Sequence, residues 1–215
     1  YGPPQAAVNI AREALANPDT HSYQDGAGNR ALLGAIEHKL QRDNGIDVAR
    51  GSRVMVTAGA NMALVHAVLA ITNPGDEVIF SAHAFAIYPI VTQAVGGRAV
   101  ITPARDWGND LDAMLRAVGE RTRLVFIANP NNPTGTWLTQ QALRSFLDAL
   151  PARVMVVLDE AYFEYVDAPG YASGIELLKC YPNLIVARTF SKVYGLAGLR
   201  VGYGVSGEAA ADLLN

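Results

Sequence analysis

Two stretches of this sequence have no polar face at all: Leu124-Val125-Phe126-Ile127-Ala128 and Val154-Met155-Val156-Val157-Leu158. A strand with one solvated face alternates apolar and polar residues, so unbroken runs of this length suit strands buried on both sides, as in a mostly parallel α/β sheet. Further short runs rich in Val, Ile and Leu occur at Arg53–Thr57, Glu77–Ser81, Arg98–Thr102, Leu184–Arg188 and Val201–Val205. Segments of helical period separate them: Pro4–Ala16, Gly28–Asn44, Asn61–Ile71, Ala86–Val95, Asp110–Ala117, Thr139–Leu150 and Ala172–Cys180. Thr139 stands where a hydroxyl can cap free backbone N–H groups, and Asn73-Pro74-Gly75-Asp76 has the chemistry of a turn. The expected architecture is α/β, a mostly parallel sheet with helices on both faces. Residues 1–27 are read as a helical lead-in and interface segment, and residues 28–215 as one large domain.

Composition narrows what such a fold can do. The chain has 215 residues, enough for a sizeable core without a disulfide or metal staple, so no metal site is expected. Seventeen Lys and Arg against 20 Asp and Glu give a net charge of −3, which argues against a nucleic-acid footprint. No apolar stretch of about 18 residues offers a membrane span. No charged and then apolar opening reads as a secretory signal. The single cysteine, Cys180, cannot form an internal disulfide, and a reducing, cytoplasmic setting is the default expectation.

The polar residues fall at strand ends. In open α/β sheets ligands bind outside the carboxyl ends of the strands. After Leu184–Arg188 come Thr189-Phe190-Ser191-Lys192, with Arg200 eight positions beyond the lysine. A lysine among hydroxyls past a buried strand is a candidate Schiff-base nucleophile, which burial and neighbouring cations would activate. The hydroxyls of Thr189 and Ser191 could share a phosphate with Arg200. The alternative is a solvated lysine and a surface arginine. After Val154–Leu158 come Asp159-Glu160-Ala161-Tyr162. A carboxylate at the end of so apolar a strand is costly without a cationic partner, and a protonated pyridine nitrogen would be one. Tyr162 could then bond the phenolic oxygen of the same ring. Asp159 could instead merely cap the next helix.

After Leu124–Ala128 the loop Asn129-Pro130-Asn131-Asn132-Pro133-Thr134-Gly135 is stiffened by its prolines, so Asn132 could contact a ligand, or the loop could be a plain turn. Ala58-Gly59-Ala60-Asn61 leads from a strand into a helix, and the first N–H groups there, at Ala60 and Asn61, could meet an anion. Phe85 could stack on a flat ring or belong to the core. Together the set offers a lysine for an aldehyde, an acid for a ring nitrogen, donors for a ring oxygen and a cradle for a phosphate. A lysine Schiff base with an acidic partner for the pyridinium nitrogen is the signature of pyridoxal 5′-phosphate.

The segments NPNNPTG (129–135), DEAY (159–162) and TFSKVYGLAGLR (189–200) resemble the motifs of the fold-type I, class I/II pyridoxal-phosphate aminotransferases in order and spacing. That resemblance implies Lys192 as the Schiff-base lysine, Asp159 as the pyridinium partner, and Tyr162 and Asn132 as phenolate donors. It implies Thr189, Ser191, Arg200, Ala60 and Asn61 around the phosphate, Phe85 on the ring, and Tyr23 reaching a neighbour's phosphate across a homodimer interface. From about His83 onward the sequence is most similar to the histidinol-phosphate branch. The first ~80 residues look more generic, as in aspartate or aromatic aminotransferases, which suggests a chimeric or designed chain.

The implied reaction is transfer of an amino group between a donor of histidinol-phosphate or aromatic type and a keto acid such as 2-oxoglutarate. A lyase or decarboxylase of the same fold, and a catalytically incomplete cofactor-binding fragment, stay open as alternatives. The chain stops at Asn215, before the C-terminal small domain that family members use to hold the substrate's carboxylate or phosphate, and is expected to be a truncated form.

Overall fold

A computed structural model describes residues 2–23, 28–46 and 52–214. Its main sheet has seven strands: β1 (Ser52–Thr57), β2 (Glu77–Ser81), β3 (Arg98–Thr102), β6 (Thr122–Ala128), β7 (Met155–Asp159), β8 (Leu184–Thr189) and β9 (Gly202–Gly207). The pair β4 (Ala104–Arg105) and β5 (Gly108–Asn109) forms a separate hairpin. The spatial order is β1-β9-β8-β7-β6-β2-β3. The four pairings from β3 across to β8 are parallel, while β9 runs antiparallel to both β8 and β1. Every expected strand is present, and the sheet is mostly parallel.

Six helices among the described residues pack on it, α2 (Arg30–Asn44), α3 (Ala60–Ile71), α4 (Ile87–Ala94), α5 (Leu111–Arg116), α6 (Gln140–Ala149) and α7 (Glu208–Leu214), while the leading helix α1 (Gln5–Ala16) buries none of its residues. The unbroken runs are explained by two cores. Along β6, Leu124, Phe126 and Ala128 join one core with α3, α4 and α7, whereas Val125 and Ile127 join the other with α2, α5 and α6. Because side chains alternate across a strand, a sheet covered on both faces needs apolar residues at every position.

Local signals behave as their chemistry dictates. Thr139 caps α6 by accepting from the Ala142 N–H at 3.1 Å. In the Asn73–Asp76 turn, Gly75 takes φ 85° and the Asp76 N–H donates to the Asn73 carbonyl at 3.0 Å. The expected helix Ala172–Cys180 is not formed; only a 3-10 turn, Gly174–Leu177, is found. There the Ser173 hydroxyl and the Gly174 N–H are drawn to the buried carboxylate of Glu160, so tertiary bonds take over groups a longer helix would use. The β4–β5 hairpin and α7 were not anticipated. The boundary expected at residue 27 lies outside the described residues. No helix among the described residues is long and apolar enough to cross a membrane.

Candidate active site

The carboxyl ends of β6, β7 and β8 open into a cavity of about 190 Å³. That is small against the roughly 300–1,000 Å³ of drug-sized pockets and suits one ring with its substituents rather than a dinucleotide. Its walls include Ala60, Asn61, Phe85, Asn132, Asp159, Tyr162, Thr189, Ser191, Lys192 and Arg200. These segments are far apart in sequence, and the sheet brings them together. Tyr23 is different: it is fully exposed and does not line the cavity.

Asp159 owes its position to strand register. Ala128, Asp159 and Ala187 lie level on β6, β7 and β8, so two small neighbours flank the carboxylate and leave room above it. The group is 5% exposed. Oδ1 accepts from the Ala161 N–H at 3.1 Å and Oδ2 from the Tyr88 hydroxyl at 3.0 Å. Burial pushes its pKa up; the Ala161 N–H, the Tyr88 hydroxyl and Lys192 pull the other way. It therefore does brace the turn after β7, but no α-helix follows there to be capped.

Glu160, the next residue, faces the opposite side of the sheet. Its Oε2 accepts two bonds from Arg188 at 2.9 Å, and both side chains are essentially sealed from solvent. Burial opposes the Arg188 charge, but Glu160 and Tyr203 together outweigh it and hold that pKa above the ordinary value. The Arg188 guanidinium also lies 4.1 Å from the centre of the Phe163 ring.

Lys192 sits on the loop past β8, with Nζ 4.8 Å from the centre of the Tyr162 ring. The burial expected for it is not found; the residue is exposed, because it lies beyond the last laddered position, Thr189. In the NPNNPTG loop two of the three asparagines are structural. Asn129 Oδ1 accepts from the Leu138 N–H at 2.8 Å, and Asn131 Nδ2 donates to the His83 carbonyl and to Thr134, both at 2.8 Å. Asn132 is the one that lines the cavity.

The other end of the cavity gathers groups that can hold an anion. Thr189 Oγ1 lies 2.9 Å from Ser191 Oγ, and Arg200 Nη1 reaches Ser191 Oγ at 3.5 Å and the Ala197 carbonyl at 3.0 Å. Arg200 adopts φ 52°, a left-handed conformation uncommon for a side-chain-bearing residue and concentrated at functional sites. Facing it, α3 begins at Ala60 with no side chain capping its end, so its first N–H groups are available to an anion. Gly59 makes the approach possible: at φ 79°, a Cβ there would stand 2.5 Å from Arg200 Nη2.

Sequence reading missed Tyr88, whose link to Asp159 spans 71 positions, and the Glu160–Arg188 pair. A charged residue closing each of two apolar strands was the available signal for the latter.

A small cavity with a buried acid, an exposed lysine at its rim and a group of anion-holding side chains suits a flat, phosphorylated ring, on a three-layered α/β/α scaffold. The chain belongs to aminotransferase class I and II, whose family model matches residues 1–215. It is 49% identical over 209 residues to histidinol-phosphate aminotransferase 2 of Pseudomonas fluorescens, covering 97% of this chain and 54% of that protein. It is 44% identical over 214 residues to histidinol-phosphate aminotransferase 1 of Nitrosococcus oceani, covering 100% and 55%. The likeness to this branch thus extends through the first ~80 residues, and no join between two branches is needed to account for them. The crystal structure of histidinol-phosphate aminotransferase from Sinorhizobium meliloti in complex with pyridoxal-5′-phosphate superposes with a TM-score of 0.85 at 33% identity, covering 98% of this chain and 55% of that one. N-succinyldiaminopimelate aminotransferase from Mycobacterium tuberculosis gives 0.90 at 26% identity, covering 100% and 57%. The chain spans about half the length of these relatives.

Proposed function

We propose that this chain forms the cofactor-binding part of a pyridoxal-phosphate transaminase whose donor is histidinol phosphate or an aromatic amino acid and whose acceptor is 2-oxoglutarate. The observation that carries this reading is the meeting of three functions in one cavity: a buried acid at the end of β7, an amine on the loop past β8, and an anion cradle formed by that same loop and the start of α3. The residues fit the group. A carboxylate buried beside two alanines suits a ring nitrogen, and a Cβ at Gly59 would fill the cradle where Arg200, Thr189 and Ser191 converge. Bound there, pyridoxal phosphate would supply an aldehyde for the amino group and a ring able to accept electrons from the donor's α-carbon.

Within this reading, Asp159 keeps the ring nitrogen protonated through close charge pairing in a desolvated place. Tyr162 and Asn132 orient the ring oxygen, and Phe85 packs on the ring face. Thr189, Ser191, Arg200 and the first N–H groups of α3 at Ala60 and Asn61 hold the phosphate. Lys192 Nζ would hold the cofactor's aldehyde carbon, whose oxygen would leave as water, and, when the donor's amine takes that place, would serve as base and acid for the proton on the donor's α-carbon. Its exposed position at the rim leaves it able to swing between those tasks. Residues 28–215 act as the cofactor domain; residues 1–27 act as a lead-in that meets a second copy in a homodimer, with exposed Tyr23 reaching the partner's phosphate.

The test is a half-reaction. Purified protein loaded with pyridoxal phosphate is mixed with histidinol phosphate. One keto product per site is expected without acceptor, and repeated turnover once 2-oxoglutarate is added. Carbon dioxide release from an aromatic amino acid would point to a decarboxylase instead. Binding with no product would leave a cofactor-holding chain without transaminase activity.

A further inference from the structure

Tyr88 is the largest side chain touching the site whose chemistry the reading above leaves unused. It is 1% exposed, on the first turn of α4. Its ring lies flat on Phe126, with centroids 4.5 Å apart and planes at 6°. The edge of the same ring system meets Phe85, 5.9 Å away at 83°. Its backbone is pinned too: the Tyr88 N–H donates to the Phe85 carbonyl at 3.1 Å and its carbonyl accepts from the Thr92 hydroxyl at 2.8 Å. The side chain therefore has one accessible arrangement, and in it the hydroxyl donates to Asp159 Oδ2 at 3.0 Å.

The other groups acting on Asp159 differ in kind. The Ala161 N–H holds Oδ1, Lys192 approaches from the loop after β8, and Glu160, the next residue in the chain, adds a like charge. Lys192 is exposed and mobile in role. Glu160 already answers Arg188. The phenol is thus the one fixed side-chain donor among them. A hydrogen bond to an ionised carboxylate favours the ionised form, and a second anchored oxygen fixes the plane of the group.

We propose that Tyr88 is a positioning residue. Its hydroxyl biases Asp159 toward the ionised form and keeps it turned toward the cavity before any ligand enters, while its ring props Phe85 at the adjoining wall. One side chain then sets both the charged and the stacking contact to the ring. The proposal rests on the reading of the cavity as a pyridoxal-phosphate site. The bland alternative is a core aromatic whose hydroxyl simply found a partner.

Carboxyl-labelled aspartate allows Asp159 to be titrated by NMR in the ligand-free protein, with Asp159→Asn assigning its signal. Tyr88→Phe keeps the stack on Phe126 and removes only the donor. It should move the Asp159 titration to higher pH and weaken pyridoxal-phosphate binding about tenfold, the scale of one hydrogen bond to a charged group. Tyr88→Leu, which also removes the prop for Phe85, should weaken binding further. In the Asp159→Asn background Tyr88→Phe should have no added effect. Placing 3-fluorotyrosine at position 88, a stronger donor of nearly the same shape, should move the titration to lower pH and remains informative if Tyr88→Phe folds poorly. An unmoved titration in both variants, beside an Asp159→Asn protein that binds the cofactor poorly, overturns the proposal alone. An Asp159→Asn protein that binds as tightly as the parent overturns the ring reading and the proposal with it.

Discussion

The ends of β7 and β8 lie side by side in the sheet and do opposite things. At the end of β7, Asp159 and Glu160 are buried, and each has fixed donors: Ala161 and Tyr88 on one face, Arg188, Ser173 and Gly174 on the other. At the end of β8, Lys192 and Arg200 are exposed, and the chain leaves the ladder after Thr189. The contrast fits the roles proposed for the two groups. A charge that has to be strong toward one partner gains from low dielectric and cannot be allowed to move. An amine that bonds one group, lets go and carries a proton needs freedom and water-accessible room. On the proposed reading, the partner of the ring nitrogen is built into the core, and the reactive amine is left at the rim.

That contrast can be broken by substitution. Lys192→Ala should have the largest effect on chemistry, at least about 10⁴-fold on donor conversion, since it removes both bonding and proton transfer. Its urea midpoint should barely move, because the side chain packs against little. Single-turnover rates beside denaturation curves check both halves.

Glu160→Gln should behave in the reverse sense. It strands a buried guanidinium and should destabilise the fold by about 3–5 kcal/mol, read as a lower denaturation midpoint, while the cavity residues themselves are untouched. Replacing Glu160 and Arg188 together with apolar residues should recover most of that loss; no recovery would argue against an ion pair as the cause.

Asp159→Asn sits between the two. It should keep the adduct on Lys192 yet slow donor conversion about 10²-fold, consistent with a ring-nitrogen pKa lowered by roughly one to three units. It also carries a pH signature. Burial leaves the Asp159 pKa raised in the ligand-free fold, so more protons are bound folded than unfolded between the two values. Its contribution to stability is complete below the ordinary carboxylate pKa and is lost as pH rises through the raised one. The ligand-free Asp159→Asn protein should lack that decline in thermal midpoint. Cofactor affinity of the parent should weaken as pH falls through the same raised value, because the ionised form is the one that pairs.

The smallest effect concerns the cradle. Gly59→Ala forces a side chain into a glycine-only conformation and against Arg200, at about 1–3 kcal/mol of strain. Titration with pyridoxal phosphate should show roughly tenfold weaker binding, with pyridoxal lacking the phosphate affected much less.

How much of this was legible differs in the same way between regions. The run Leu124–Ala128 announced its strand because each residue must satisfy one of two cores, a local rule. Thr139 announced the start of α6 for the same reason. The cavity was legible as well, since Asp159, Lys192 and the 129–135 loop each end an apolar run, and parallel topology puts such ends together. Ala172–Cys180 misled because Ile175, Leu177 and Leu178 carry an apolar pattern, while the groups that decide its shape, Glu160 and Arg188, come from two other segments. Tyr88 was invisible for a similar reason: nothing near it in sequence tells that its hydroxyl meets an acid 71 residues away. Tyr23 is a third case, since its expected contact belongs to a second copy of the chain.

Lys192 is the amine proposed to engage the cofactor at this cavity. The chain has two other lysines, Lys39 and Lys179. Lys39 is paired with Asp43 at 2.8 Å, and Lys179 donates to the Gly45 carbonyl at 3.3 Å. Reduction with borohydride in the presence of pyridoxal phosphate, followed by peptide mass spectrometry, decides the matter directly. One adduct per chain is expected, on Lys192. An adduct on Lys39 or Lys179, or none at saturating cofactor, would contradict it.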